Sequence, residues 1–545
     1  MNLRDYQERA IEAVFEQWKT VTSTCVVAAT GLGKTILFAK VIERSRPHRT
    51  LVIAHRKELI EQARDKILAA TGLQSDVEMA WETADDSMWG RKPIVIATVQ
   101  TLNSGGGKRM RKWKPEEFGR IVCDEFHHGT SKSYRAIFDY FKQNPELKIL
   151  GVTATPDRAD EEALSQVCDS VAFHYDILDG VNDGWLVPVT QQFCPVSSLD
   201  FSHVRTTAGD LNEGDLARIM EAEENVQGVC HPTLEVLYGL EPKTLSKLPV
   251  SEWTQFLSAL GRNPRRTIVF TVSVAQAEAC CNILNRVVPG IAEWICGKTP
   301  TDDRTAILTR YHHGQTPVIV NCGVLTEGFD APATEVIIMA RPTKSRSLYT
   351  QMVGRSTRPL PGIVDSCTDA EGRRQSIADS SKPRCRIIDF AGNSGRHKLV
   401  CAIDILSGKS SQAAIDHAIE KAKAEGKPVT VLKTLTNAEW ELEKKRKEEA
   451  ERLRLAIEAR RRGVVAKVDY NQIHVDPFGQ SSFGGWGKKN KDTGPPATEK
   501  QKRVIGRAGI NPSHLSKKKA GWILDILSAN NWILPERYKF LKKIP

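Results

Sequence analysis

The chain has no Cys-x-x-Cys pair. Its 12 cysteines are scattered, two are adjacent (Cys280 and Cys281), and none follows Cys401. Zinc knuckles and simple disulfide frameworks need closely paired spacings, so this pattern predicts no structural zinc and a reducing compartment. Long apolar runs are missing too: none approaches the roughly 18 residues that span a bilayer, so no membrane association is expected. Met1–Tyr6 lacks the apolar core of a secretory signal, and the expected location is cytoplasmic, in a prokaryotic or phage-type, nucleoid-associated setting. No long-period repeat is present. What remains is an ordinary globular composition, 40% hydrophobic and 26% charged over 545 residues, long enough for several domains. The net charge of +11 suits a polyanionic partner without establishing one.

Short β-branched runs alternate with helical patterns from residue 1 to about 180. Leu51-Val52-Ile53-Ala54, Ile94-Val95-Ile96-Ala97, Ile121-Val122-Cys123 and Ile149-Leu150-Gly151-Val152 are examples. Runs this short and this apolar read as strands of a parallel sheet covered on both faces. The rhythm returns in Ile268-Val269-Phe270, Val318-Ile319-Val320, Val336-Ile337-Ile338-Met339 and Ile387-Ile388-Asp389. The expected organisation is an α/β domain over 1–180, a polar connector over 181–260 and a second α/β domain over 261–400. A helical, charged extension follows over 401–475, with a long exposed helix near 439–462. Residues 476–497 read as a flexible linker, and 498–545 as a small, basic helical tail.

Ala28-Ala29-Thr30-Gly31-Leu32-Gly33-Lys34-Thr35 follows a strand and opens a helix. That is the context a Walker A phosphate loop needs, here with Ala28 where the pattern has glycine. Small residues let backbone N–H groups close round phosphates at a helix N-terminus. Thr30, Gly31, Gly33, Lys34 and Thr35 are therefore candidate ATP contacts. Lys34 would reach the β- and γ-phosphates, and the Thr35 hydroxyl would ligate Mg²⁺.

Asp124-Glu125 follows the strand ending at Cys123. An acidic pair there suits Mg²⁺–ATP chemistry: Asp124 would hold the metal through water and Glu125 would orient or deprotonate the attacking water. In Gln351-Met352-Val353-Gly354-Arg355-Ser356-Thr357-Arg358, Arg355 and Arg358 stand three apart, close to one helical turn. Both are candidates to neutralise charge on the transferring phosphoryl group. The vicinal His127 and His128 fit a single metal ion poorly. Trp81, Trp89 and Trp113 are read as packing residues, and Gly105-Gly106-Gly107-Lys108-Arg109 is a loop that would either contact DNA or simply pack.

Taken in order, these segments resemble a superfamily 2 helicase of the DExH-box type over about Leu3 to Asn393. Leu3–Gln7 is similar to the adenine-reading segment, with Gln7 the base contact. Ala28–Thr35 resembles motif I, Ala54–Leu59 motif Ia, Thr98–Leu102 motif Ib and Asp124–His127 motif II. Thr153-Ala154-Thr155 resembles motif III, Phe270-Thr271 motif IV, Leu325–Asp330 motif V and Gln351–Arg358 motif VI. The resemblance implies two tandem RecA-like parallel-sheet domains plus a helical, basic C-terminal region. It implies ATP and Mg²⁺ as cofactors, with Gly328 and Asp330 joining the nucleotide site. Arg56, Thr98, Gln100 and Thr326 would contact nucleic acid, and His127, Thr153, Thr155 and Gln351 would couple hydrolysis to strand engagement.

Leu325–Pro332, Ile388–Asn393 and the stretch from Asp200 to Glu213 further resemble RadD-type repair helicases and type I–III restriction motors, which favours DNA over RNA. The cysteine-rich zinc modules of the RadD type are absent here. The tail from Pro496 to Lys517 resembles a small helical module on phage and bacterial DNA enzymes and is expected to dock DNA or a protein partner. The expected function is an ATP-dependent DNA helicase or translocase in repair, recombination or replication. The alternatives are the motor subunit of a restriction or defence complex, and an RNA helicase.

Overall fold

A computed structural model describes residues 3–55, 57–85, 90–154, 166–207, 209–326, 329–394, 399–407, 410–425, 429–461, 495–513, 515–529 and 532. The short apolar runs become strands of two sheets. The first contains β1 (Ser23–Ala28), β2 (Thr50–Ala54), β3 (Ser75–Glu78), β4 (Ile94–Thr98), β5 (Arg120–Asp124), β6 (Lys148–Thr153) and β7 (Ser170–Tyr175). Their order is β3-β4-β2-β5-β6-β1-β7. Every pair is parallel, so all seven C-terminal ends lie along one edge.

Strand periodicity sorts the side chains onto two faces. Val26, Val52 and Val122 pack against helices α1 (Asp5–Gln17), α2 (Lys34–Arg44) and α3 (Lys57–Thr71). Cys25, Val27, Ile53 and Cys123 pack with Trp113, Phe126 and Phe138 on the opposite face. Trp113 is 1% exposed, as expected of a packing residue, whereas Trp81 is 95% exposed and packs on nothing. Trp89 lies outside the described residues. Gly151 of β6 makes room for the ring of Phe126: a Cβ there would fall 2.2 Å from a ring carbon.

The second sheet contains β8 (Val189–Asp200), β11 (Thr267–Thr271), β12 (Ala292–Cys296), β13 (Val318–Cys322), β14 (Val336–Ala340), β15 (Cys385–Asn393) and β16 (Val429–Thr430). Between β8 and β11 the chain forms the two-stranded β9 (Thr206–Thr207) and β10 (Asp210–Leu211). The order β12-β13-β11-β14-β15-β8-β16 is parallel except for the antiparallel β16. Residues 181–260 thus do more than connect, because β8 lies beside β15 within this sheet. Gln191 and Gln192 break the apolar run and hide the strand from pattern reading, yet both are buried. The helix Glu223–Leu237 packs against the helix Val274–Val287.

Two helices, Gln412–Glu425 and Val431–Arg461, lie in the stretch expected to be a helical extension. The linker expected at 476–497 falls almost wholly outside the described residues. In the tail, Glu499–Arg507 and Lys517–Ala529 form a small unit round Ile505, Ile510, Ile523 and Leu527. Its first helix is opened by a Thr498–Gln501 capping box. Among the described residues no helix is long and apolar enough to cross a membrane.

One polar cluster ties the helix Arg346–Val353 to the second sheet. The Tyr349 hydroxyl donates to the Asp389 carboxylate at 2.7 Å, and Gln191 Nε2 donates to the same oxygen. Gln191 Oε1 accepts from the Ile403 amide at 3.0 Å. Burial pushes the Asp389 carboxyl up to about 7, although the hydrogen bonds from Tyr349 and Gln191 oppose the shift. The folded chain therefore retains this proton to higher pH than the unfolded chain, whose aspartate titrates near 3.9. Stability is expected to fall as pH rises from about 4 to about 7. Asp389→Asn should flatten that slope, as read from urea unfolding midpoints across the range.

Candidate active site

The phosphate loop sits where β1 ends. Gly31 and Gly33 have φ of 97° and 73°, a region that glycine enters without strain. Gly33 caps α2 with no side chain to offer. The amides of Lys34 and Thr35 find no acceptor among the described residues, whereas those of Ile36 and Leu37 bond to the Gly33 carbonyl. Unpaired N–H groups at a helix start, with Lys34 and Thr35 in its first turn, make a fitting cradle for polyphosphate. The Tyr6 hydroxyl donates to Leu32 O at 2.6 Å. Gln7 Nε2 reaches Leu32 O at 3.3 Å and Gly33 O at 3.5 Å. Gln7, expected to read a base, here holds the back of the loop.

Asp124 ends β5, two strands from β1, and Glu125 follows with φ 50° and ψ 54°. An L-residue held in this region is strained, and such strain concentrates at functional positions. Glu125 is only 7% exposed. Among the described residues its Oε2 accepts no hydrogen bond, and His127 Nδ1 stands 3.4 Å away. A buried carboxylate oxygen left without a donor suits a proton acceptor. His127 Nδ1 also lies 3.2 Å from Thr153 Oγ1 at the end of β6. The His127 and His128 ring centroids are 4.1 Å apart, and those of His128 and His55 are 4.6 Å apart. Gln100 Nε2 then donates to His55 O at 3.1 Å. Glu125 is thus linked by contacts to the ends of β2 and β4.

The second lobe closes against this loop. A Cβ on Gly354 would fall 2.4 Å from Thr30 Cβ, and one on Gly31 would lie 3.2 Å from Arg358 Cγ and 3.5 Å from its Nε. Arg358 therefore crosses the phosphate loop, with its guanidinium paired to Asp330. Arg355 is spent differently. It is 8% exposed and donates through Nη1 to Phe329 O at 2.8 Å and through Nη2 to Thr326 O at 2.5 Å. The three-residue spacing lays one arginine over the Gly31 loop and turns the other into the backbone of the preceding segment.

Trp185 braces the junction. Its indole lies between the guanidinium groups of Arg4 (4.4 Å) and Arg373 (3.9 Å), and its Nε1 donates to Asp5 at 3.2 Å.

The expected strand contacts fare unevenly. Thr98 is buried and caps the helix α4 (Val99–Gly107), accepting from the Thr101 amide at 3.3 Å, so a structural duty replaces the expected contact. Gln100 is exposed while tethering His55. Thr326 and Gln351 are buried. Arg56, Thr155 and Gly328 lie outside the described residues. Lys66 on α3 carried no motif signal. Burial chiefly lowers its pKa, with Arg358 and Arg355 adding and Asp330 and Asp124 opposing, which puts it within electrostatic reach of the cleft.

Residues 1–158 match the family described as "Type III restriction enzyme, res subunit", and residues 250–359 match "Helicase conserved C-terminal domain". A Saccharomyces cerevisiae protein, assigned as the ATP-dependent helicase IRC3, is 31% identical over 77% of this chain and 56% of its own length. The EcoAI type I restriction endonuclease subunit of Escherichia coli is 24% identical over 65% of this chain and 44% of its own. The ATP-dependent type ISP restriction-modification enzyme LlaBIII, solved bound to DNA, aligns at a TM-score of 0.47 with 18% identity. That alignment covers 72% of this chain and 28% of the other. The chain spans about half the length of these curated relatives. Its two parallel-sheet domains thus carry a match to a restriction-enzyme subunit family and a match to a helicase C-terminal family. Its relatives include both an IRC3 helicase and endonuclease subunits of type I restriction enzymes.

The contact between Thr30 and Gly354 makes a direct test of closure. Gly354→Ala would separate the lobes at the phosphate loop, and an offset near 1 Å costs about 10²-fold in turnover. ATP hydrolysis by this variant is expected to fall by that order while its thermal unfolding temperature stays near wild type.

Proposed function

We propose that the chain is an ATP-dependent DNA helicase or translocase, acting in repair, recombination or replication. The observation that carries this reading is the crossing of Arg358 from the second lobe over Gly31 of the phosphate loop, in a first lobe that also holds the buried Glu125 carboxylate. Neither lobe holds both groups, so hydrolysis requires the two to meet. In this reading the Lys34 ammonium and the free amides of α2 bind the phosphates. Thr35 and Asp124 would hold Mg²⁺, which when bound neutralises charge on the β- and γ-oxygens. Glu125 orients water and takes its proton as the oxygen attacks the γ-phosphorus and the bond to the β-phosphate oxygen breaks. Arg358 leaves Asp330 to neutralise the charge that develops. Arg355 acts at one remove, keeping the Thr326 and Phe329 carbonyls in place.

A strand along the C-terminal edge of the first sheet would sense the nucleotide through His127, His128 and His55. Closure and reopening would shift strand contacts on one lobe relative to the other. The strand is held mainly through phosphates, so base preference is slight. The chemistry itself does not separate DNA from RNA; the restriction-subunit relatives favour DNA. They also support a second reading, in which the chain powers a partner that cleaves DNA, docked through the C-terminal helices.

The deciding measurement is ATP hydrolysis without nucleic acid and with single-stranded, forked or duplex DNA or RNA at one stated salt concentration, since phosphate-driven binding falls steeply with salt. DNA, single-stranded or forked, is expected to give the largest stimulation. Glu125→Gln should bind ATP and barely turn it over. Arg358→Ala should lose about 10³-fold or more in turnover. An ATPase indifferent to every nucleic acid would overturn the proposal. Stable co-purification with a nuclease would favour the second reading.

A further inference from the structure

Trp81 is the one large aromatic side chain in the first sheet's surroundings that the described structure leaves in water, at 95% exposure. The loop carrying it is far from slack. Met79 and Glu82 exchange backbone hydrogen bonds of 3.0 and 2.8 Å across it, and Ala80 is held at φ 50°. Arg109 grips it from beneath: Nε donates to Glu78 at 2.5 Å, Nη2 donates to Glu82 O at 2.6 Å and Thr83 Oγ1 at 3.0 Å, and Nη1 donates to Ala80 O. Glu78 is fully buried and also receives Lys112 Nζ at 2.6 Å and the Ala84 amide at 2.9 Å. The Ala80 amide donates to Thr101 Oγ1 at 3.2 Å, which fixes the loop to α4. A buried ionic clamp therefore holds an indole outward in one place, leaving little ordering entropy to lose when a partner arrives.

The surroundings select the partner. The loop leaves the C-terminal end of β3, on the same edge as the phosphate loop, Glu125 and the His55–Gln100 contact. It lies about 24 Å from β1, five strand spacings away. Beside it α4 runs out in Gly105, Gly106 and Gly107, all at positive φ, into the exposed cations Lys108, Arg111 and Lys114. Arg111 Nη1 donates to Gly106 O at 2.7 Å. An exposed indole with cations alongside provides a π-face for a base and charges for its phosphates. A protein partner would call for a wider apolar patch than a single exposed indole on a loop next to a basic segment.

We propose that Trp81 is a stacking platform for an unpaired nucleobase, with Lys108, Arg111 and Lys114 following the backbone of the same single strand. The proposal rests on the nucleic-acid motor reading and deepens it by naming where an unpaired base is received.

The probe is a fluorescently labelled oligothymidine, titrated with the full chain at fixed salt and read by anisotropy. Trp81→Ala is expected to weaken binding roughly 5- to 150-fold, the range for losing one base–aromatic stack. Trp81→Phe should restore most of the loss. With an abasic strand of the same length, wild type and Trp81→Ala should bind alike, because no base remains to stack; a merely structural role for Trp81 would weaken both strands equally. Lys108→Ala should lower the salt dependence by about one counterion without altering the preference for bases over abasic sites. Equal binding of oligothymidine by wild type and Trp81→Ala, or an equal deficit on the abasic strand, overturns the platform while leaving the motor reading intact. A wild-type chain that binds no strand at all overturns both.

Discussion

The structure depends on one close approach: the backbone of Gly354 seated on Thr30, which brings Arg358 across Gly31. Two parallel sheets of this kind are each complete without the other, and nothing in either core obliges them to meet. What joins them is the layer that includes Tyr6, Leu32, Tyr175, Trp185 and Leu186 from the first lobe and its exit, with Val353 and Met352 from the second. Tyr6 stacks on Tyr175 with ring centroids 4.6 Å apart while its hydroxyl holds the phosphate loop. The same contacts that make the interface thus shape the loop on which the chemistry would occur.

Much of this was legible in the sequence because parallel strands buried on both faces leave short, uniformly apolar runs. The phosphate loop and the acidic pair were equally plain, since glycine spacing and a carboxylate pair after a strand have few other uses. The failures have physical causes. β8 was missed because Gln191 and Gln192 are both buried, Gln191 with its amide hydrogen-bonded, which no hydropathy pattern reveals. Arg355 and Arg358 look interchangeable in sequence, and only three-dimensional placement separates an arginine bonded to carbonyls from one crossing the cleft. Thr98, expected to meet a strand, has its hydroxyl engaged as a cap on the first turn of α4, which spacing alone does not reveal. Trp81 was grouped with Trp113 because composition cannot tell an indole in a core from one held out by an arginine.

The edge formed by the strand ends explains how distant groups can act together. A parallel sheet places all its C-terminal ends side by side, so the loops after β1, β2, β4, β5 and β6 become neighbours whatever their separation along the chain. His55 follows β2 while His127 and His128 follow β5, so their rings, at contact distances, bridge two of those loops. Packed rings therefore connect Glu125 with the loop after β2.

Glu125 carries a cost that its neighbours do not. Its backbone lies in a left-handed conformation that side-chain-bearing residues adopt at an expense of roughly 1–3 kcal/mol. Glycine would relax the turn and strengthen the fold at this point, at the loss of a buried carboxylate able to accept a proton. Selection for thermal robustness alone would favour glycine here, so an acid held at this cost marks the spot where the proposed hydrolysis would seat its base.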